Sequence, residues 1–279
     1  MGSSAARSIG VVLGPIDVPI GWWIESAVRL EAAGYAGVWC WDHFMVRGGR
    51  AKPVLEAWTT LALAAAATTT ITVGTFVANV MNRHPAVLAS MAASLAAAAP
   101  GRVVLGLGIG GNPKEHEALG IEFPPPPERV ARVEEAAAVL RALWRGEAVT
   151  RPSRYYPLRE ATLLPAPDPP PPILIGGQSV RGARLAASAG DGWTTRPDLF
   201  ERLHPIYLEA CAEAGRRPGQ IVVGFEGGRS GVDSIVGTVW AADPAAEVAA
   251  WHDRGATSVV VTARTPADID ALEQAARRR

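Results

Sequence analysis

The chain has 279 residues, 48% of them apolar, with 27 basic and 27 acidic side chains and a formal charge of zero, so it carries no electrostatic footprint for nucleic acid or an anionic membrane face. Two cysteines, Cys40 and Cys211, are too few for a disulfide framework or a zinc cage. No apolar run reaches about 18 residues and no basic-then-apolar leader opens the chain, so one cytoplasmic domain over residues 1–279 is expected.

Short apolar strands alternate with helical patterns along the chain. Residues 8–14 read as a strand, followed by a helix over 22–33 with Glu25 and Arg29 four apart on one face. A second strand over 36–41 precedes a helix over 55–67. A third over 71–77 precedes a helix over 84–99, with Pro85 in its first turn. The fourth strand, 102–110, is followed after a gap by a helix over 127–145, on which Val130, Val133, Ala137, Leu140 and Trp144 share one stripe. Strands at 172–177, 191–195, 221–227 and 258–263 alternate with helices at 179–190, 198–214, 245–255 and 266–278. Eight strand–helix units predict a (β/α)8 TIM barrel, although a doubly wound open sheet also absorbs this alternation. Residues 146–172 break the pattern; such long excursions are lids, binding loops or mobile segments, and the proline run reads as a rigid connector.

In a (β/α)8 barrel the chemistry sits at the C-terminal strand ends. Strand two ends on Asp42 and His43, strand three on Thr75 and Asn79, strand four on Gly108 to Asn112, and strand five on Gly176 and Gly177. An aspartate here is also an ordinary helix cap, and an isolated histidine an ordinary packing residue. Residues 106–111, GLGIGG, match the dinucleotide pattern G-x-G-x-x-G, but no helix is expected to open there, which excludes a Rossmann site. Gly106, Gly108 and Gly110 instead share one strand face, leaving room for a flat ligand or for tight packing. At 176–179 two glycines and Ser179 form a strand-to-helix turn; its free N–H groups and the helix dipole suit a phosphate, or Ser179 simply caps the helix. Trp39 and Trp41 point to one side of strand two. Trp22 and Trp23 follow strand one, as core or as walls of a planar ligand. Glu115, His116 and Glu117 lack the spacing of a metal motif, so no metal site is expected, and no G-x-S-x-G elbow supports a serine hydrolase.

The ordered set VWCWDHF, EAWTTLALAAAATTTITVGTFV, RHPAVLASMAASLAAAAPGRVVLGLGIGG, KEHEALGIEFPPPPERVARVEEAAAVLRALWRG and PPILIGGQSVRGARLAASAGDGW resembles the bacterial luciferase-like superfamily. It is most similar to the branch of oxidoreductases dependent on the deazaflavin coenzyme F420. The likeness runs from about residue 9 to 193 and is looser beyond. It implies a barrel with the tricyclic ring in its C-terminal mouth, flanked by Asp42 and His43, with His43 giving or taking the proton. Thr75, Phe76 and Val77 would support the back of the ring, where the family often has a non-proline cis peptide. Gly176, Gly177, Gln178 and Ser179 would bind the coenzyme phosphate. Asn79, Gly108 and Gly110, on the same face, complete the expected cofactor set. The 146–172 excursion resembles an insertion near the site.

The resemblance implies a two-electron oxidoreductase passing a hydride between F420 and a small organic substrate. An imidazole, which titrates near neutral pH when unperturbed, is suited to the accompanying proton. Sugar-phosphate dehydrogenases of this branch carry a glutamate directly after the strand-four G-x-G. Here that position is Gly111, which argues against glucose 6-phosphate as substrate, and Glu115 is the acid from further along. A monooxygenase using reduced FMN is the runner-up, and a non-catalytic flavin-binding protein the third reading. The chain is short for the family, which implies a trimmed C-terminal loop and a more open pocket. The alanine-rich helices after strands two and three suit packing against a second subunit, giving a homodimer.

Overall fold

A computed structural model describes residues 8–46, 48, 51–225 and 234–278. Eight parallel strands close into a barrel among the described residues: β1 (Ile9–Leu13), β2 (Gly37–Cys40), β3 (Thr72–Asn79), β4 (Val103–Gly108), β7 (Ile173–Gly176), β8 (Gly192–Thr195), β9 (Gln220–Phe225) and β10 (Ser258–Ala263). Closure is made by β1 on β10, from Ile9 opposite Val259 to Leu13 opposite Ala263. The outer ring comprises α1 (Ile20–Ala32), α2 (Ala57–Ala67), α3 (Pro85–Ala98), α5 (Pro126–Leu143), α6 (Val180–Ala189), α7 (Pro197–Glu213), the short α8 (Val239–Ala242), α9 (Pro244–Asp253) and α10 (Pro266–Arg277). The expected (β/α)8 barrel is the observed fold, and the closed sheet excludes the doubly wound alternative. The predicted 226–227 end of the seventh strand lies outside the described residues.

Two apolar layers follow from strand alternation. Residues facing the helices form the main core, including Val11, Val38, Val73, Leu105, Ile175 and Val261. Inside the barrel, Val12, Trp39, Phe76, Leu174, Val222 and Val260 form a separate cluster, with Trp39 and Phe76 edge to face at 5.7 Å. Glycines make room for these two rings. A Cβ on Gly74 would lie 2.6 Å from the Trp39 ring, and one on Gly224 2.6 Å from the Phe76 ring.

The structure departs from the sequence reading in three places. The residues after GLGIGG do form a helix, the seven-residue α4 (Pro113–Leu119), started by Pro113 and ended by Gly120 in the left-handed region. The 146–172 excursion contains an antiparallel hairpin, β5 (Val149–Arg151) with β6 (Leu158–Ala161), and cis bonds at Leu164–Pro165 and Asp168–Pro169. It packs on the outer face of α5, where Glu135 accepts from Tyr155 N at 3.0 Å, and reaches the rim, where Tyr156 meets His84 at 5.3 Å. Arg29 does not pair along its own helix with Glu25. It crosses to α10, meeting Asp270 at 2.6 Å and Glu273 at 2.9 Å.

Candidate active site in the barrel mouth

Because all barrel strands are parallel, the loops after β2, β3, β4 and β7 open on one face. β2 ends in the buried barrel wall, and the next residues enter a loop held from two sides. On one side Asp42, 2% exposed, is saturated by protein: its carboxylate takes both oxygens to Arg83 Nη1 at 2.9 and 2.7 Å and accepts from Asn79 N at 3.0 Å. Arg83 also reaches Glu56, the side-chain cap of α2, at 2.6 Å. Asp42 therefore fastens β2 to β3 and to the start of α3, a role that Arg83, lacking any motif, did not advertise.

On the other side stands Glu115 of α4, only 1% exposed. One carboxylate oxygen lies 2.9 Å from His43 Nδ1; the other accepts from the backbone N–H groups of Phe44 and, at 3.0 Å, Met45. Burial alone would push this carboxyl up, but His43 and the two N–H groups outweigh it and hold it below its ordinary value. A carboxylate cannot donate, so Nδ1 carries a proton in this contact, and in the neutral imidazole Nε2 is the nitrogen with a lone pair. The His43 side chain is 32% exposed, and Nε2 has no protein partner among the described residues. Glu115 thus reaches the histidine, from a helix that sequence patterning did not foresee.

The expected ring-supporting segment has a mixed placement. Thr75 is turned into the wall and donates to Gly106 O at 2.9 Å. Between Thr75 and Ala78, β3 carries one residue more than β4, and the Phe76–Val77 peptide there is cis. A bulge of this kind lets two successive side chains face one way. Phe76 enters the barrel interior, and Val77 lies above it, against Gly106, Gly108 and Gly176. A Cβ on Gly108 would sit 2.5 Å from a Val77 methyl, and one on Gly110 2.5 Å from Asn79 Oδ1. The glycine stripe is therefore filled by Val77 and Asn79, which accounts for Gly108 and Gly110 by packing alone. The Asn79 amide is likewise engaged by protein, with Asn82 Oδ1 and His116 Nε2 each at 3.0 Å.

At the end of β7, Gly177 approaches Gly182 and Trp193 too closely for a Cβ, which would stand 2.6 Å from the Gly182 carbonyl carbon. Ser179 caps α6, its Oγ accepting from Gly182 N at 3.1 Å, and Gln178 and Ser179 are exposed on the mouth face. Two residues beyond the interior cluster, the inward positions are Gly14, Trp41, Gly176, Gly224 and Thr262. Of these only Trp41 is large, its face covered by the Arg264 guanidinium at 5.3 Å. Trp23, in contrast, is core, fully buried and donating to Leu13 O at 3.1 Å. The space beside Gly224 and Gly176 is taken by Phe76 and Val77, so the mouth is lined by Trp41, Val77 and the exposed α6 turn, groups of the kind that border a flat ring and hold a phosphate. A separate groove of 680 Å³ lies on the flank, between α5, α6 and the hairpin. Three of its charged residues are paired within the protein: Arg141 with Asp191 at 3.0 Å, and Arg216 with Gly190 O at 2.7 Å.

A (β/α)8 barrel with an acid–imidazole pair and a glycine-rich helix turn on its C-terminal face has its polar groups at the strand ends where barrels of this fold place their chemistry. The chain belongs to the luciferase-like monooxygenase family, whose model matches residues 11–229. It is 38% identical over 202 residues to the F420-dependent glucose-6-phosphate dehydrogenase of Beutenbergia cavernae, covering 69% of this chain and 59% of that protein. It is 34% identical over 247 residues to the F420-dependent hydroxymycolic acid dehydrogenase of Mycobacterium tuberculosis, covering 88% of this chain and 67% of that protein. Matches to several curated relatives thus span about three fifths of their length. Among solved structures, an F420-dependent secondary alcohol dehydrogenase in complex with an F420–acetone adduct superposes with a TM-score of 0.82 over 95% of this chain and 96% of that one, at 23% identity. That likeness concerns the fold.

Proposed function

We propose that the protein is an oxidoreductase that binds coenzyme F420 in the barrel mouth and exchanges a hydride between it and a small alcohol or carbonyl compound. The observation that carries this reading is the half-exposed His43, held through Nδ1 by the buried Glu115 carboxylate at 2.9 Å with Nε2 left free. The names of the relatives, all F420-dependent dehydrogenases, support the choice of coenzyme.

When bound, F420 supplies a carbon that accepts or gives a hydride. His43 Nε2 removes the hydroxyl proton of an alcohol, or returns it to a carbonyl oxygen in the reverse direction. Glu115 fixes the ring orientation and balances the imidazolium that forms. Trp41 and Val77 wall the ring, and the exposed N–H groups opening α6, with Gly176, Gly177, Gln178 and Ser179, hold the phosphate. Asp42 acts behind this layer, holding the loop rather than the coenzyme.

The pairing state belongs to the same proposal. Neither α2 nor α3 contains a charged residue, and Leu63 and Val87 are 43% and 52% exposed on them. An outer helix without charge suits burial against a second copy of the chain. The free thiols of Cys40 and Cys211, both buried, suit the reducing cytoplasm.

Titration of the purified protein with F420 and, separately, with FMN, followed by fluorescence, tests the coenzyme. Micromolar binding of F420 is expected. Micromolar binding of FMN without binding of F420 would favour the monooxygenase reading instead.

A further inference from the structure

His116 is fully buried, and its hydrogen bonds fix its chemical state. Met81 N donates to Asn79 Oδ1 at 3.0 Å, so the Asn79 amide has one orientation and Nδ2 faces His116 Nε2 at 3.0 Å. Nε2 must accept this bond. Nδ1 therefore bears the proton and donates to Asn112 O, also at 3.0 Å. Both amide hydrogens of Asn79 are used, the second on Asn82 Oδ1, and Asn82 Nδ2 returns to Asp42 O at 3.1 Å.

These bonds close a ring around the proposed catalytic pair. From His43 it runs through the peptide bond to Asp42, across to Asn79 N at 3.0 Å, from Asn79 Nδ2 to His116, along α4 to the adjacent Glu115, and back to His43 Nδ1 at 2.9 Å. The far side of His116 is packed on Phe123 at 4.3 Å, and Phe123 lies under the Arg129 guanidinium at 3.9 Å. Arg129 is itself anchored on Ile109 O and Gly110 O at 2.8 and 2.9 Å. A helix of seven residues has little stability of its own. Without the His116 bond, α4 loses its hydrogen bond to β3, and Glu115 is left to its own bonds with the loop over residues 43–45.

We propose that His116 is the positioning residue of the site: acting through α4, its neutral Nδ1–H form sets the distance between Glu115 and His43. This rests on the reading of His43 as the proton-handling group, but its test does not require turnover.

With only five histidines in the chain, ring-nitrogen spectra of protein labelled with ¹⁵N-histidine resolve each imidazole. In the wild type at pH 7.5, His116 is expected in the Nδ1–H tautomer; an Nε2–H tautomer would overturn the proposal without any variant. His116→Phe fills the space but cannot accept from Asn79, and should move the His43 nitrogen shifts onto those of Glu115→Gln. His116→Gln keeps an acceptor for Asn79 and should leave the His43 shifts at their wild-type values. Wild-type His43 shifts in His116→Phe, or equal displacement in both His116 variants, would reduce His116 to packing. F420 affinity, measured on the same samples, should stay within twofold of wild type in both. Failure of every sample to bind F420 would count against the proposed function and leave the tautomer and shift results to decide the role of His116.

Discussion

At the scale of single residues, the site rests on one imidazole and one buried carboxylate. His43→Ala should leave F420 affinity within about twofold and slow turnover by about 10²–10⁴-fold, the range of general acid–base catalysis; parallel fluorescence titration and steady-state assays separate the two. Unchanged turnover would remove His43 from the chemistry. Glu115 makes a second, pH-dependent prediction. Its carboxyl is depressed in the folded protein by His43 and the amides of Phe44 and Met45, which overcome burial. A depressed folded value stabilises the protein above the unfolded value, and this is lost as pH falls through the folded value. Melting temperatures of wild type and Glu115→Gln should therefore differ at pH 7, and the gap should close as pH falls below the ordinary glutamate value of about 4.3. His43 was legible in the sequence because an apolar strand stops on it. The partnership with Glu115 was not, since it depends on a seven-residue helix with no stripe long enough to register. Nor did Asp42 disclose that its charge is spent on Arg83, 41 residues further on.

Among the elements, β3 and β4 carry the most specific packing. The glycine face of β4 was visible as a pattern, but its occupant was not, because the bulge that turns Val77 inward leaves no trace in alternation. Gly108→Ala places a Cβ 2.5 Å from the Val77 methyl and should cost about 1–3 kcal/mol in urea unfolding. Adding Val77→Ala removes the clash, so the double variant should be more stable than the sum of the single effects. Strict additivity would mean that Gly108 is required for something other than Val77. The helix over 127–145 was the clearest in the sequence, and of its stripe Val133, Ala137, Leu140 and Trp144 are buried, with Val130 half-buried against the core. Arg29 shows the opposite case. Spacing along the helix suggested Glu25 as its partner, but the closing helix α10 offers two carboxylates, and the bidentate contact with Glu273 prevails.

For the whole molecule, barrel closure joins the chain's first strand to its last, and the contacts that secure it lie far apart in sequence. Alternation pointed to the barrel but also admitted an open sheet, and it did not show which side chains secure the closure. Arg29 on Asp270 and Glu273, and Tyr35 donating to Leu272 O at 2.8 Å, span that closure, whereas Asp268 ties the start of α10 to residues 234 and 235. Fully buried at the start of α10, it accepts from Ile235 N at 2.7 Å, Arg264 N at 2.9 Å and Thr265 N at 3.0 Å, and from the hydroxyls of Ser234 and Thr265. Asp268→Asn should lower unfolding stability at pH 7 by about 2–4 kcal/mol, because buried donors lose a charged acceptor. The uncharged faces of α2 and α3 make the pairing state testable by light scattering: Leu63→Arg with Val87→Arg should convert a dimer to monomer, and a wild-type monomer would dismiss the interface. The central claim is that the acid–imidazole pair and the glycine turn of α6 serve one ligand. A crystal structure of the protein with F420 tests it most directly. The ring should lie in the mouth against Val77 and Trp41, with the phosphate on the Gly177–Val180 turn and His43 Nε2 facing the ring. Coenzyme bound instead in the flank groove between α5 and α6, with the mouth left to solvent, would contradict it.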